Sequence, residues 1–252
     1  MRLALISVVV HVAATWRACV PRMCAAAAVQ WDDVKSALDD AVPCFVVTDE
    51  DLRPLADQPT VLCFADAVAA QTELIRAKEE YPTLNLRLQP VGMGTALERA
   101  RLGRARVIPS GKELGMAREA YPDGEDWDGG ALPLFGAYEI QRKRRDGTLA
   151  TPLYLSVEDA KAACVEADPE RELGLNLVCT SLQRMTSLVC AGEVGAMDFV
   201  PTAAAVELAQ RCGETGELPP GVTRGMISRS LPSWYTEDQN DPNQQSLFGT
   251  GT

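Results

Sequence analysis

The chain has 252 residues, of which 46% are hydrophobic and 23% charged, a composition typical of a globular protein and not of a disordered or fibrous one. Its formal charge of −11 argues against a nucleic-acid binder that works by neutralising phosphates. The only histidine is His11, so Ser-His-Asp triads, Cys-His pairs and His-ligated zinc sites are excluded for the rest of the chain.

Residues 1–31 have the features of a targeting leader. They contain no Asp or Glu, Arg2 precedes a hydrophobic run over residues 3–14, and three alanines at 25–27 offer a small-residue cleavage site. This combination is typical of signal and transit peptides, and the run is shorter than the roughly 20 residues that span a bilayer. We therefore expect residues 1–31 to direct the chain out of the cytosol.

The spacing of hydrophobic residues after the leader predicts alternating strands and helices. A leading helix over residues 32–40 is followed by short strands at 44–47 and 61–64, the first of them entered by a proline. A helix then ends before Pro82. The remaining predicted elements of this half are a strand at 84–88, a helix at 95–102, a strand that ends at Ile108 and a helix that begins after Ser110.

The second half of the chain repeats the motifs of the first. Pro43 corresponds to Pro133 and Pro109 to Pro201, and the matched motifs keep their order at offsets of 90 to 92 residues. The corresponding predicted elements are strands at 134–137, 153–155 and 175–179, helices at 157–167 and 182–191, and a last strand and helix on either side of Pro201. An Asp-Gly pair at 146–147 predicts a hairpin turn. The order β-β-α-β-α-β-α, present twice, predicts an α/β (α+β layered) fold of two tandem pseudo-repeats, each with a small mixed sheet.

These patterns divide the chain into five segments. They are the leader at 1–31, a first α/β repeat with its leading helix at 32–120, an acidic, glycine-rich linker at 121–130, a second α/β repeat at 131–212 and an extended C-terminal tail at 213–252. We expect the linker to form a surface loop, because Asp, Gly and Pro dominate it. The proline-entered strands are expected to present apolar surface at the rims of the two sheets.

Motifs for catalysis or cofactor binding are weak. Gly92 and Gly94 lack the third glycine of a dinucleotide-binding loop, and the sequence before Lys112 lacks the upstream glycine of a P-loop. The chain has no Cys-x-x-Cys motif, and most of the cysteines after the leader lie in hydrophobic runs, as buried free cysteines do. Structural disulfides and a catalytic thiol stay open as alternatives. The cysteines after the leader are Cys44, Cys63, Cys164, Cys179, Cys190 and Cys212. We therefore predict no enzymatic activity, no cofactor and no metal.

The loops after the first strand of each repeat carry opposite charges. The first loop contains the four acids Asp49, Glu50, Asp51 and Asp57, whereas residues 142–145 in the second repeat are all basic. Two solvated turns would explain this arrangement, and so would docking surfaces for a partner or for self-association. Because a protein of charge −11 attracts cationic partners, we take the four acids as candidate docking residues.

The repeated motifs together resemble those of one family. They are V-P-C-F-V-V at 42–47, V-L-C-F-A-D-A at 61–67, R-V-I-P at 106–109, A-L-P-L-F-G-A at 131–137, T-P-L-Y-L-S-V-E-D-A at 151–160 and D-F-V-P at 198–201. The family is that of the Tic twenty-two-like (Tic22-like) proteins, named for a component of the translocon at the inner envelope membrane of chloroplasts. The resemblance covers roughly residues 40–210, and none of its motifs is catalytic.

The resemblance implies a factor of the chloroplast intermembrane space, or of an equivalent periplastid compartment, that chaperones preproteins between the outer and inner envelope translocons. It also implies two similar α/β halves with apolar surface grooves, and the leader would suit an algal member of the family. Asp49, Glu50, Asp51 and Asp57 then become client-docking residues for basic targeting segments. Two alternatives stay open: a thiol-dependent or redox-regulated enzyme of the same compartment, and a structural subunit of a larger plastid membrane complex.

Overall fold

The fold is known from a computed structural model. It describes residues 28–55, 60–122, 125–144, 146–170 and 175–212. The predicted tail at 213–252 and most of the predicted leader therefore lie outside the described residues, and both stay predictions.

Seven helices and nine strands occur in the described residues. The first half contains α1 (Trp31–Ala41), β1 (Pro43–Thr48), β2 (Val61–Phe64), α2 (Ala67–Glu80), β3 (Arg87–Gly92), α3 (Met93–Arg101), β4 (Ala105–Ile108) and α4 (Gly111–Ala120). The second half contains β5 (Pro133–Gly136), β6 (Arg142–Lys143), β7 (Leu149–Tyr154), α5 (Val157–Ala167), β8 (Val178–Ser181), α6 (Leu182–Cys190), β9 (Met197–Val200) and α7 (Ala203–Cys212). This mixed content, with two small sheets, confirms the predicted α/β layered fold.

The two sheets have the same strand order and the same strand directions. Sheet 1 has the order β3-β1-β2-β4, and sheet 2 has the order β8-β5-β7-β9 with the short β6 also paired to β7. In each sheet the first two pairings are antiparallel and the last is parallel. Pro43 and Pro133 begin corresponding strands. Superposition of the two halves as one duplicated unit stays a prediction.

The third strand of each half lies further along the chain than predicted. The strand expected at 84–88 begins only at Arg87, because Arg87 pairs with Thr48, the last residue of β1. Leu84 lies outside the strand and is 44% exposed. The strand continues through Pro90, which β3 tolerates as an edge strand of sheet 1. The strand expected at 175–179 is displaced in the same direction, since β8 begins at Val178. In both halves the next helix follows the strand directly, without the intervening loop that the sequence indicated.

The predicted Asp-Gly turn is confirmed. Gly147 has a φ of 87°, the left-handed conformation that glycine adopts without strain. The Asp146 carboxylate accepts hydrogen bonds from the backbone N–H of Thr148 at 2.9 Å and from its hydroxyl at 2.7 Å. The turn joins β6 to β7, so the second half has one short strand that the sequence did not indicate.

Both sheets turn one face toward a shared central core. Alternate residues of the strands point into it, for example Cys44 and Val46 from β1 and Leu134 from β5. Helices α1, α3 and α6 contribute to the same core, which buries Leu38 and Met185. Because side chains of both halves form this cluster, it holds the two halves together.

The last helix of each half covers the sheet of the other half. On the outer face of sheet 1, α7 packs beside α2, and its Leu208 joins a cluster with Phe45 and Leu88. On the outer face of sheet 2, α4 places Ala117 in a cluster with Phe135. The hydrophobic packing therefore crosses the predicted boundary between the repeats.

The predicted linker is not entirely a surface loop. Trp127 is only 4% exposed and joins the outer core of sheet 2. Its indole N–H donates a hydrogen bond to the Tyr121 carbonyl at 2.9 Å, and the Tyr121 hydroxyl donates to the Leu177 carbonyl at 2.5 Å. The acidic and glycine residues of this segment indicated a surface loop, but its tryptophan is buried and anchors the segment to sheet 2.

Candidate functional site

The acidic loop after β1 is shaped by one of its own carboxylates. Asp49 Oδ1 accepts hydrogen bonds from the backbone N–H of Asp51 at 3.0 Å and of Arg53 at 2.8 Å. The Asp51 carboxylate lies 3.4 Å from the Arg53 guanidinium, and the Glu50 carbonyl accepts a hydrogen bond from Arg87. Asp49 therefore holds the loop conformation, while the side chains of Glu50 and Asp51 are exposed.

The basic hairpin of the second half offers fewer exposed cations than its sequence indicates. Arg142 and Lys143 are exposed in β6. The Arg144 guanidinium is held at the sheet, since it donates to the Asp198 carboxylate at 2.6 Å and to a neighbouring carbonyl at 2.8 Å. Arg145 lies outside the described residues, as does Asp57 of the acidic loop.

Each charged loop lies at the end of its own sheet that is far from the junction of the halves. Ala65 and Leu155, which follow β2 and β7, line one crevice at the junction of the halves. The loops that precede these two strands are therefore at the far ends of sheets 1 and 2.

The crevice at the junction has a volume of about 280 Å³, including space open to solvent. Its lining residues are Ala65, Asp66, Pro109, Ser110, Glu113, Leu132, Pro133, Leu155 and Thr202. Asp66, Ser110 and Thr202 each precede a helix, so the N-termini of α2, α4 and α7 converge there. The positive ends of helix dipoles stabilise carboxylates, and Asp66 and Glu113 supply them.

Glu113 connects the two halves across this crevice. It is 6% exposed, and its Oε2 accepts a hydrogen bond from the backbone N–H of Val157, the first residue of α5, at 2.9 Å. Burial raises the pKa of this carboxyl, against the opposing effects of the Val157 N–H and of Lys112. The sequence did not single out Glu113, because a Glu in the first turn of a helix is usually a surface residue.

Replacing Glu113 tests this connection through the dependence of stability on pH. We expect Glu113→Ala to lower the free energy of unfolding by about 1–3 kcal/mol, since it leaves the Val157 N–H buried without an acceptor. Glu113→Gln keeps an acceptor and should be at least as stable as the wild type near pH 7. Because the folded-state pKa of Glu113 is raised, its contribution to stability is largest at low pH and falls as pH rises through that pKa.

Urea unfolding near pH 7 and near pH 5.5 gives the free energy of unfolding of the wild type and of both variants. The advantage of Glu113→Gln over the wild type should shrink toward the lower pH. A Gln variant as unstable as the Ala variant would contradict the role of the hydrogen bond.

The prediction that the proline-entered strands present exposed apolar surface at the rims of the sheets is wrong. Val42 and Leu132, which precede these prolines, are 1% and 2% exposed, because the strands begin against the core and the crevice. Exposed large hydrophobic residues occur elsewhere, at Leu62, Val68, Ile75, Leu84, Leu102, Leu149 and Val165. Val68 and Ile75 are seven residues apart on α2, so they lie on one face of that helix.

The two glycines of the weak dinucleotide-like motif allow close helix packing. The Asp39 carboxylate of α1 accepts hydrogen bonds from the Thr95 N–H and hydroxyl, both at 2.7 Å, and so caps α3. A Cβ on Gly94 would lie 2.2 Å from the Lys35 carbonyl oxygen, and one on Gly92 would lie 2.2 Å from Asp39 Oδ1. These glycines therefore have a structural role at the contact between α1 and α3.

No disulfide bond links the cysteines of the described residues. A hydrogen bond with Cys63 and burial raise the pKa of Cys44 well above its ordinary value. Burial raises the pKa of Cys179 to about 12 and also raises that of Cys164. Because the thiolate is the reactive form, these three thiols are poor nucleophiles near neutral pH.

Metal and membrane features can be assessed only for the part of the chain that the structure describes. In it, no group of three or more His, Cys, Asp or Glu side chains is placed to hold a metal ion. None of its helices is both long enough and hydrophobic enough to span a bilayer. The expected absence of a metal and of a cofactor stays a prediction.

Comparison with known proteins identifies the fold. No family model matches the chain, and no curated protein matches its sequence. The structure is similar to "Anabaena Tic22 (protein transport)" with a TM-score of 0.57 and 15% identity, over 73% of this chain and 97% of that one. It is also similar to "Tic22 from Plasmodium falciparum" with a TM-score of 0.56 and 17% identity, over 73% of this chain and 98% of that one.

The chain therefore has a two-sheet α/β fold that solved structures share over nearly their whole length. That fold is the Tic22 fold. The match confirms the resemblance that the V-P-x-F and related motifs indicated, although the sequence identity is low.

Proposed function

We propose that this chain is a non-enzymatic, chaperone-like factor in protein import into plastids, which binds preproteins between the outer and inner envelope translocons. The observation that carries the proposal is the Tic22 fold over 73% of the chain, shared with a structure described as protein transport. The proposed location is the chloroplast intermembrane space or an equivalent periplastid compartment. The partners are preproteins with basic targeting segments and components of the envelope translocons.

The charge of the protein supports attraction of such clients. Plastid-targeting segments are basic and poor in acids, and this chain carries a formal charge of −11. Glu50 and Asp51 are the exposed carboxylates of the acidic loop, whereas Asp49 is occupied in holding the loop. The client-docking role therefore falls on Glu50 and Asp51 among the described acids.

Charge alone would not retain a client, because each exposed ion pair contributes only about 0–1 kcal/mol. Val68 and Ile75 on the outer face of α2 are 64% and 60% exposed, and they offer apolar contact. Burying such a side chain contributes roughly 1.5–3 kcal/mol. We assign the retention of a bound client to Val68 and Ile75, and the initial attraction of the client to the acidic loop.

Binding of a fluorescent basic targeting peptide to the full chain tests this assignment. Affinity should weaken several-fold between about 20 and about 500 mM salt without disappearing, because salt screens the exposed charges. Glu50→Lys with Asp51→Lys should slow association several-fold and change dissociation little, since steering charges act on the on-rate. Val68→Ser with Ile75→Ser should instead speed dissociation.

Val165→Ser is the matched control for the α2 variant, because Val165 is 56% exposed on α5 of the other half. It should leave both rates unchanged. Affinity that is independent of salt, together with wild-type association by the Lys variant, would contradict electrostatic capture.

The alternatives receive less support. Raised pKa values at Cys44, Cys164 and Cys179 weigh against a thiolate-based enzyme. A structural subunit tethered by the tail would depend on residues 213–252, which lie outside the described residues.

A further inference from the structure

The two sheets of the described fold end in four edge strands, and three of these edges are blocked. β3 and β4 are the edges of sheet 1, and β8 and β9 are the edges of sheet 2. An edge strand offers its N–H and C=O groups to any extended chain that lies beside it, so folded proteins usually block such edges. An edge that is left open therefore indicates where a partner strand can add.

A proline blocks the edge of sheet 1 at β3. The Met93 N–H donates a hydrogen bond to the Val42 carbonyl at 2.9 Å, so every second residue before Met93 turns its backbone groups toward β1 and Pro90 turns outward. Pro90 has no N–H to offer. Its carbonyl accepts a hydrogen bond from the Gln89 side chain at 3.2 Å. The middle of β3 therefore offers no donor, and its carbonyl is occupied.

Side chains from two loops block both edges of sheet 2. The Glu125 carboxylate of the linker accepts a hydrogen bond from the Ser181 N–H of β8 at 3.3 Å. The Arg144 guanidinium of the basic hairpin donates a hydrogen bond to the Met197 carbonyl of β9 at 2.8 Å. These contacts occupy backbone groups that would otherwise bind an added strand.

The edge at β4 has no such contact. The Ile108 carbonyl accepts a hydrogen bond from the Ala65 N–H at 2.9 Å, so Ile108 faces β2 and the alternate residues Ala105 and Val107 turn their backbone groups outward. Ala105 begins β4 as Met197 begins β9. Among the residues that the structure describes, none forms a hydrogen bond with these outward groups. The backbone of β4 is therefore open to a strand on this side.

The open backbone of β4 is already held in place. The side chains of Ala105 and Val107 point into the central core, where these residues are 6% and 5% exposed. Because the core fixes this strand, an added segment would lose its own conformational freedom without having to order β4. Recognition by strand addition uses such an edge, where main-chain hydrogen bonds give the affinity and side chains give the specificity.

The side chain between the two outward positions determines which segment fits. Arg106 is exposed, and it lies on the outer face of sheet 1 because its neighbours in β4 point inward. A carboxylate on an added strand would be stabilised beside it, whereas a cation would be repelled. Residues 99–106 contain four arginines and no acid, although the chain as a whole is acidic. A second copy of β4 and a basic targeting segment are both disfavoured as occupants.

We propose that the β4 edge binds an extended, acidic segment of a partner protein by strand addition. The outward N–H and C=O groups of Ala105 and Val107 form the main-chain hydrogen bonds, and Arg106 pairs with a carboxylate of the added strand. This partner differs in charge from the basic clients, so the β4 edge is a second interaction surface that does not depend on the proposed function.

Amide hydrogen exchange of the full chain, followed by NMR, tests this surface residue by residue. In the free protein, the N–H groups of Ala105 and Val107 should exchange much faster than those of Arg106 and Ile108, which face β2. The probe is a capped nine-residue peptide of alternating Thr and Val with Glu at its centre. It should slow exchange at Ala105 and Val107 by about ten-fold or more and change the other two little.

Three exchange results would overturn the proposal. Protection of Ala105 and Val107 in the free protein at low concentration would show that the chain covers its own edge. Protection that grows with protein concentration in the absence of peptide would show that a second copy is the occupant. Exchange at both positions that stays fast in the presence of the peptide would show that no strand adds there.

Peptides that differ only in the central residue test the role of charge. In fluorescence anisotropy, the peptide with Glu should bind about five-fold more tightly than the same peptide with Lys. Arg106→Glu should reverse this preference, and Arg142→Glu, at an exposed position of sheet 2, should leave it unchanged. Both positions are exposed, so both variants are expected to fold, and circular dichroism checks this. Equal affinity for the two peptides, or no binding of either at about 1 mM, would overturn the proposal.

Discussion

Neither half of the chain is expected to fold without the other. A fragment of residues 28–122 lacks α7, so the outer face of sheet 1 would expose Phe45, Leu88 and their neighbours. It also loses the share of the central core that the second sheet supplies. Each uncovered large side chain costs roughly 1.5–3 kcal/mol, and a domain is stable by only about 5–15 kcal/mol. Circular dichroism and thermal unfolding of the fragment should show no cooperative transition.

Mixing the two fragments is the matched control. Residues 28–122 together with 125–212 contain all the described helices and strands, including both exchanged helices α4 and α7. We expect the pair to form a folded complex with cooperative unfolding. A fragment of residues 28–122 that unfolds cooperatively alone would show that the packing of α7 and α4 across the boundary is dispensable.

Gly94→Ala is expected to be severely destabilising, although alanine is normally the better helix residue. Gly94 lies in the first turn of α3, and a Cβ there would be 2.2 Å from the Lys35 carbonyl oxygen of α1. A backbone atom cannot move away as a flexible side chain can, so α1 and α3 would have to separate. That separation would also strain the cap between Asp39 and Thr95. The free energy of unfolding should fall by about 3 kcal/mol or more.

Gly115→Ala provides the comparison within the same protein. Gly115 lies in α4 with open space around its would-be Cβ. The free energy of unfolding of this variant should rise by about 0.5–1 kcal/mol, because alanine has a higher helix propensity than glycine. Urea unfolding measures both variants, and a neutral Gly94→Ala would contradict the close contact between α1 and α3.

The features that the sequence predicts well are those set by local patterns. The hydrophobic spacing of α2, the break before Pro82 and the short strand at Val61–Phe64 all follow from neighbouring residues, and the structure has them. The turn at Asp146 and Gly147 also follows from a local pattern, because only glycine adopts the required φ without strain. The strand at Arg87–Gly92 was misplaced because its partner β1, and not its own pattern, sets its register.

The features that the sequence could not show are contacts between distant residues. Nothing near Glu113 indicates that it accepts a hydrogen bond from Val157 across the junction of the halves. Helices α4 and α7 each cover the sheet of the other half, and this exchange depends on how the halves pack. The amphipathic pattern of each helix would be the same if it covered its own sheet, so the pattern does not predict the exchange. The acidic loop was recognisable as a cluster, but the use of Asp49 to hold the loop required the geometry of its backbone.

Photo-crosslinking to a precursor during import is the most direct test of the proposed function. A full chain with benzoylphenylalanine at position 75 would be supplied to plastids that are importing a labelled precursor, and the same residue at position 165 would serve as the control. We expect position 75 to crosslink the precursor while it is in transit, with the signal lost once import is complete, and position 165 to give a much weaker product. A precursor that crosses the envelope without crosslinking to position 75 would contradict the proposal that this protein binds preproteins through α2.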